Sequence, residues 1–196
     1  MNFLAHFYLS GDFPLLSVGN YLGDFISARE RSTLPTAAIK GVNLHYEIDK
    51  FTDNHPSFRK TVARLRPEFG KYAPVVADIY YDHFLASKWD EHHEEGLQNF
   101  ANDRYQLIES NDDLLNRRAK QFHYYMKSRN ILFNYQHPEQ LHQVFLGMSH
   151  RARFDSGMEK AVEHLRDHYH DYSRDFIAFF PDIKDHIGRQ LEDHRE

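Results

Sequence analysis

Apolar residues recur at helical spacing along nearly the whole chain. The clearest stretch is 156–179, where they fall three or four positions apart, at Met158, Ala161, Val162, Leu165, Tyr169, Tyr172 and Phe176. This spacing places the side chains on one face of an α-helix, which must then be buried against other elements. Few stretches alternate in the way that β-strands do. The sequence therefore predicts an all-α protein, an irregular or orthogonal helical bundle.

Proline, glycine and small polar residues divide this pattern into separate helices. The predicted helices are 1–10, 14–27, 36–54, 57–66, 73–95, 97–109, 112–128, 138–150, 156–179 and 182–193. Pro67 is expected to end the fourth of them, since proline lacks the backbone donor that a helix needs. The sequence contains no internal repeat, low-complexity run or long linker, so we expect a single domain over residues 1–196.

Composition excludes several kinds of site and partner. The chain has no cysteine, which excludes disulfides, thiolate metal sites and cysteine nucleophiles. A formal net charge of −5 argues against a nucleic-acid binder. No run of 18 apolar residues occurs and the first residues lack the pattern of a signal peptide, so we expect no membrane span and a cytoplasmic location. The usual phosphate-loop, dinucleotide, nucleophile-elbow and zinc-protease motifs are missing too.

The first chemistry-bearing stretch spaces an imidazole and two carboxyl groups four residues apart, at His45, Asp49 and Asp53. On a helix these side chains lie on one face, with Cβ atoms roughly 6 Å apart. Imidazole nitrogens and carboxylate oxygens are ligands that divalent metals take. The alternative is a solvated helix face with a polar cap at its end.

The second stretch places Asp78 and Asp82 on one helix face, with His83 turned about 100° away. Its surroundings are strongly apolar, and a bare carboxylate there is costly unless it is paired or coordinated. A salt-bridged core acid is the alternative, although the nearest lysine in sequence is Lys88. These residues therefore join the candidate metal ligands, Asp78 either as a ligand or as a partner that orients an imidazole.

Two further polar residues stand alone in apolar helices. Asp24 follows Asn20 by one turn, and His6 lies in the apolar segment at the start of the chain. Either one could simply be hydrogen-bonded within the core.

Five motifs occur in an order that resembles the acyl carrier protein phosphodiesterase family. They are Met1-Asn2-Phe3-Leu4-Ala5-His6, Gly19-Asn20-x-x-x-Asp24-Phe25, His45-x-x-Ile48-Asp49-x-x-Thr52-Asp53-Asn54, Asp78-x-x-x-Asp82-His83-Phe84-Leu85 and Leu146-Gly147-Met148-Ser149-x-Arg151. The resemblance implies an all-helical, atypical relative of the HD phosphohydrolases. It also implies hydrolysis of the bond that joins 4′-phosphopantetheine to the serine of holo-acyl carrier protein, an acidic partner. A divalent metal, with Mn²⁺ favoured, is the implied cofactor.

The adjacent pair is Asp82-His83, acid first, so we assign ligands from local spacing rather than from the usual His-Asp order. The hypothesis is that one or two Mn²⁺ or Mg²⁺ ions, with Fe²⁺ as a further candidate, are bound by Asp24, His45, Asp49, Asp78, Asp82 and His83. His6 or Asp53 would protonate the leaving serine oxygen. Arg151 would stabilise charge on the phosphate oxygens.

Three other classes remain open from the sequence. The first is an HD-type phosphohydrolase that acts on a nucleotide or another small phosphodiester. The second is a non-catalytic module that binds the carrier protein, with structural acids. A helical di-iron oxygenase is the third, because such sites also combine histidines and carboxylates on helices. The sequence gives no indication of the oligomeric state.

Overall fold

The computed structural model describes residues 1–192, and within that range the chain forms helices and no β-strand. The α-helices are α1 (Phe3–Leu9), α2 (Pro14–Leu22), α3 (Ala28–Arg31), α4 (Thr36–Asn54), α5 (Pro56–Phe69), α6 (Ala73–Ser87), α7 (Leu97–Glu109), α8 (Arg117–Ser128), α9 (Ile131–Asn134), α10 (Pro138–Arg151), α11 (Ala161–Asp167) and α12 (Tyr169–Glu192). Short 3₁₀ turns lie at Gly70–Tyr72, Trp89–Glu91, Asp112–Leu114 and Met158–Lys160. The all-α prediction is confirmed, whereas the HD-like arrangement stays a prediction.

Helix α6 lies at the centre of the core. Nearly all of its apolar side chains are buried, on every side of the helix, as expected for a helix surrounded by others. It packs against α1, α5 and α12. Helix α12 contributes a stripe of buried aromatic and aliphatic side chains, including Phe176, Phe179 and Ile183.

Helices α2 and α4 approach each other unusually closely, because glycines stand where they cross. A Cβ atom added to Gly19 would lie 2.8 Å from Cα of Ala38, and closer still to the Ala38 carbonyl. A Cβ atom added to Gly41 would lie 2.8 Å from the backbone nitrogen of Asn20. Contacts this short are not found between real atoms, so any larger residue would push the two helices apart. The crossing places the end of α2 beside the middle of α4.

Several predicted boundaries are wrong, and two of the errors concern proline. Helix α5 continues through Pro67 to Phe69, and α12 continues through Pro181, where the sequence predicted a break between 179 and 182. Both prolines lie on exposed faces, as do the residues four positions earlier, Ala63 and Ile177. The carbonyls that each proline deprives of a partner can therefore bond to water, which lowers the cost of continuing the helix.

The remaining differences are smaller. Helix α6 ends at Ser87 rather than near residue 95, and the predicted 14–27 helix ends at Leu22. The predicted 112–128 helix begins only at Arg117, and the predicted 156–179 helix is divided at His168 between α11 and α12. Residue 193, the last of the predicted 182–193 helix, lies outside the described residues. No helix in the described part of the chain combines the length and apolar character needed to span a membrane.

Candidate metal centre

Three helices bring polar side chains together at one edge of the core. Helix α1 contributes His6, and α4 contributes His45 and Asp49 one turn apart. Asp24 follows the end of α2, directly after Gly23. The close crossing of α2 and α4 holds His45 against Gly23, whose added Cβ would lie 2.5 Å from Cδ2 of the imidazole. The short loop after α2 then presents the Asp24 carboxylate to the same ring.

The two imidazoles stack and turn the same nitrogen toward one carboxylate. The ring centroids of His6 and His45 lie 4.4 Å apart, with 26° between the ring planes. The Nε2 atom of His6 lies 3.3 Å from Oδ1 of Asp49, and that of His45 lies 3.2 Å from Oδ2. Oδ1 of Asp24 lies 3.5 Å from the same His45 nitrogen. The two histidines and Asp49 thus offer ligand atoms that all lie within 4.8 Å of one another.

The cluster has a buried floor and an open side. The side chains of His6 and His45 are about 6% and 5% exposed, whereas those of Asp49 and Asp24 are 43% and 52% exposed. The imidazoles are therefore fixed in the core, and the carboxylates lie at the surface. A ligand from solvent reaches the cluster from the carboxylate side.

The charges of the cluster are strongly coupled. Burial lowers the pKa of His6, although Asp49 opposes this shift. Burial also disfavours the charged form of His45, but contacts with Asp24 and Asp49 outweigh it and raise the pKa of His45 to about 9. Burial would raise the pKa values of Asp24 and Asp49, yet the hydrogen bonds from a charged His45 bring both below their usual range. Two carboxylates thus remain ionised beside the rings, which favours a cation between them.

Donor set and spacing both fit a divalent metal ion. Two imidazole nitrogens and carboxylate oxygens suit Mn²⁺, Fe²⁺ or Zn²⁺. Adjacent ligands of an octahedral ion with bonds of about 2.1 Å lie about 3.0 Å apart. The His6–Asp49 and His45–Asp49 distances of 3.3 and 3.2 Å are close to that value. His6, His45 and Asp49 therefore form the candidate metal centre, with Asp24 as a neighbouring fourth carboxylate.

Asp82 lies outside the group formed by His6, His45 and Asp49 and has a structural role. Its carboxylate accepts hydrogen bonds from the backbone amides of Asn2, Leu4 and Ala5, at 3.2, 2.8 and 3.4 Å. These amides belong to the N-cap residue and the first turn of α1, where no acceptor within the helix is available for them. Asp82 therefore attaches α1, and with it His6, to the central helix α6. Its carboxylate is already used, and we leave it out of the proposed ligand set.

His83 and Asp78, the other residues of this stretch, are paired with groups outside the candidate metal centre. His83 faces away, and its Nδ1 donates a hydrogen bond of 2.8 Å to the carbonyl of Tyr135. Its Nε2 is buried with no hydrogen-bond partner among the described residues. Asp78 Oδ1 lies 2.8 Å from the amino group of Met1. Neither residue belongs to the candidate metal centre, and we revise the ligand set accordingly.

The remaining predicted site residues lie at different distances from the cluster. Asp53 is exposed one turn beyond Asp49 and lines a cleft of about 570 Å³ together with Arg59 and Arg66. Arg151 ends α10, and its guanidinium carbon lies 5.8 Å from the centre of the Tyr125 ring. None of the contacts described for Arg151 reaches the cluster, so we do not assign it a role there.

Sequence reasoning missed the part that Asn20 and Ser10 play in the cluster. Both are fully buried, and Asn20 bonds to the His6 ring at 2.7 Å. It also underestimated His6, whose partners all lie on other helices. No spacing within one helix reveals such contacts. The available signals were an amide in an apolar helix one turn before Asp24 and the presence of His6 and Asn20 in the motifs that carry the family resemblance.

Comparison with known proteins agrees with the family resemblance. The family model described as acyl carrier protein phosphodiesterase matches residues 1–183. A relative of that name from Escherichia coli O45:K1 is 30% identical over 197 residues, covering 97% of this chain and 99% of the relative. Relatives of the same name from Enterobacter sp. (strain 638) and Pectobacterium atrosepticum are 29% and 25% identical, each covering 92% of this chain and 94% of the relative. No solved structure matches the chain. A match over nearly the entire length shows that the chain belongs to the acyl carrier protein phosphodiesterase family.

Proposed function

We propose that this chain hydrolyses the phosphodiester bond between 4′-phosphopantetheine and the serine of holo-acyl carrier protein, releasing the apo-protein. The observation that carries the proposal is the convergence of His6, His45 and Asp49 on one point, in a member of this family. The cluster opens to solvent on its carboxylate side, as a site for a protein-borne phosphodiester must. We propose Mn²⁺ as the preferred ion, with Mg²⁺ and Fe²⁺ as alternatives.

A divalent ion, when bound, lowers the pKa of a coordinated water and neutralises phosphate charge. The chain's own residues prepare that site. His6 presents a neutral Nε2 from the buried side of the cluster, and His45 does so once it has lost its proton. One carboxylate oxygen of Asp49 lies beside each of these nitrogens. Asp24 adds a second carboxylate, which can accept a proton from the attacking water.

The cleft lined by Asp53 is suited to binding the 4′-phosphopantetheine arm. The cleft begins one turn along α4 from Asp49, and its walls combine apolar side chains with two arginines. An apolar wall fits the alkyl parts of the arm, and the guanidinium of Arg66 can attract the acidic carrier protein. Arg59 is partly engaged, because it donates to the carbonyl of Asp53 and the side chain of Asn54. Asp53 is exposed at the entrance, where its carboxyl group can reach the leaving serine oxygen.

The test is hydrolysis of holo-carrier protein, followed by the mass of the carrier. Wild-type protein with Mn²⁺ should remove the mass of the arm, and excess chelator should prevent this. Asp49→Asn should abolish the reaction. Asp182→Asn is the matched control, because Asp182 makes a similar contact of 3.0 Å with His55 on the surface, outside the cluster.

Two results would contradict the proposal. Full activity in Asp49→Asn would show that the cluster is not the site. Cleavage of free nucleotides with no loss of the arm from holo-carrier protein would instead support a small-molecule phosphohydrolase.

A further inference from the structure

A closed hydrogen-bond network joins His6 to the end of α2. The Nδ2 atom of Asn20 donates to the carbonyl oxygen of His6 and to Oγ of Ser10, both at 2.9 Å. The Ser10 hydroxyl donates to the same carbonyl at 2.8 Å. On its other side, Oδ1 of Asn20 lies 2.7 Å from Nδ1 of the His6 ring. Asn20 and Ser10 are fully buried, so no water competes for these bonds.

The network determines which way the Asn20 amide points. A backbone carbonyl oxygen can only accept hydrogen bonds, so the atom of Asn20 that faces the His6 carbonyl must be the amide nitrogen. The atom that faces the imidazole is then the amide oxygen, which also can only accept. Nδ1 of His6 must therefore carry a proton.

A proton on Nδ1 leaves the lone pair of a neutral imidazole on Nε2. That nitrogen lies 3.3 Å from Oδ1 of Asp49. Two acceptors face each other at this distance, an arrangement that a cation between them stabilises. We propose that Asn20 is a positioning residue, which holds His6 as the Nδ1–H tautomer so that Nε2 is presented to the divalent cation. This role rests on the metal centre of the proposed function, but not on the identity of the substrate.

Three variants separate positioning from simple packing. Asn20→Leu has a similar volume but lacks the acceptor for Nδ1. Ser10→Ala breaks the same buried network yet leaves that acceptor in place. Asn20→Asp keeps an acceptor oxygen beside Nδ1 but loses the donor to the His6 carbonyl, so it tests the tautomer alone.

The first readout needs neither metal nor substrate. Nitrogen-15 NMR of the metal-free protein distinguishes the two tautomers, and the His6 signals are identified by their loss in His6→Gln. Wild type, Ser10→Ala and Asn20→Asp should carry the proton on Nδ1, whereas Asn20→Leu should lose this preference. A proton found on Nε2 in the neutral ring of the wild type would overturn the proposal.

The second readout is Mn²⁺ affinity, measured by calorimetry on variants that circular dichroism shows to be folded. Partners that orient a ligating histidine typically change metal affinity 10–100-fold, so Asn20→Leu should weaken binding by about that factor. Ser10→Ala should stay much closer to wild type. Equal weakening in Ser10→Ala and Asn20→Leu would reduce Asn20 to a structural residue. Wild-type protein that binds no Mn²⁺ would overturn the metal centre and this role together, whereas a failure to cleave holo-carrier protein would leave both readouts intact.

Discussion

Substituting Gly23 by alanine should damage the metal centre while leaving the fold largely intact. Gly23 has φ −51° and ψ −36°, a right-handed helical conformation that alanine adopts without strain. The obstacle is space: the added Cβ would lie 2.5 Å from Cδ2 of His45 and 2.7 Å from its Cβ. The His45 side chain, Cβ included, would have to move by about 1 Å to reach the 3.4 Å of ordinary van der Waals contact, so this turn of α4 must shift together with the ring. His6 is stacked on the ring, so the displaced ring would disturb both ligands.

The expected magnitudes separate stability from function. Overpacking a core costs about 1–3 kcal/mol. Replacing glycine in a compatible conformation returns about 0.4–1 kcal/mol. A net loss of about 1–2 kcal/mol lowers the melting temperature of a chain of this size by only about 2–8 °C. A ligand displaced by about 1 Å, in contrast, can reduce catalysis roughly 100-fold.

The assay combines thermal unfolding, Mn²⁺ calorimetry and the mass-based cleavage of holo-carrier protein. Gly188→Ala is the matched control, because nothing lies within 4 Å of its added Cβ in α12. That substitution should stabilise the chain by up to about 1 kcal/mol and leave metal binding unchanged. Wild-type Mn²⁺ affinity in Gly23→Ala would refute the reasoning, since it would show that the position of the His45 ring does not matter.

Four further predictions concern Asp82, His45 and Arg66. Asp82→Ala leaves the backbone amides of Asn2, Leu4 and Ala5 without an acceptor. Since one unsatisfied buried group costs about 1–3 kcal/mol, urea unfolding should show that the free energy of unfolding falls by about 3 kcal/mol or more. A fall below about 1 kcal/mol would contradict the anchoring role. Because Asp24 and Asp49 outweigh burial and raise the pKa of His45 to about 9, Mn²⁺ must displace a proton, and its apparent affinity should rise from pH 7 to 9. Calorimetry in two buffers should detect the released proton, and a flat affinity would be inconsistent with this pairing. The same shift stabilises the metal-free protein fully below pH 6.5, and that contribution should be lost as the pH rises through about 9. Arg66→Ala should raise KM for holo-carrier protein several-fold with little change in kcat, because the cleft binds ground state and transition state alike; an unchanged KM would remove the cleft from the binding site.

The helices that proline or glycine bounds directly could be predicted from the sequence. Helix α4 has the predicted limits, Thr36–Asn54, because Pro35 precedes it and His55-Pro56 follows. Helix α7 likewise begins directly after Gly96. Pro67 and Pro181 misled the prediction because the cost of a proline inside a helix depends on whether the freed carbonyl reaches water, which is a tertiary property. The single domain and the cytoplasmic location stay predictions.

The candidate metal centre could be predicted only in part. His45 and Asp49 share one helix, so their spacing alone placed them together. His6 and Asp24 join them through the glycine-mediated crossing of α2 and α4 and the packing of α1, neither of which a pattern within one helix reveals. Asp82 was a reasonable candidate because a carboxylate in an apolar helix needs partners. Its partners are backbone amides at the start of another helix, and the pattern of side chains in a sequence does not reveal which backbone amides lack a partner.

Anomalous diffraction from crystals soaked in Mn²⁺ tests the central claim most directly. We expect a peak within about 2.3 Å of Nε2 of His6, Nε2 of His45 and a carboxylate oxygen of Asp49, distances typical of such bonds. The peak should vanish in Asp49→Asn. A peak at Asp82 and His83 instead, or no ordered ion at any concentration that supports hydrolysis, would contradict the assignment of this cluster as the metal centre.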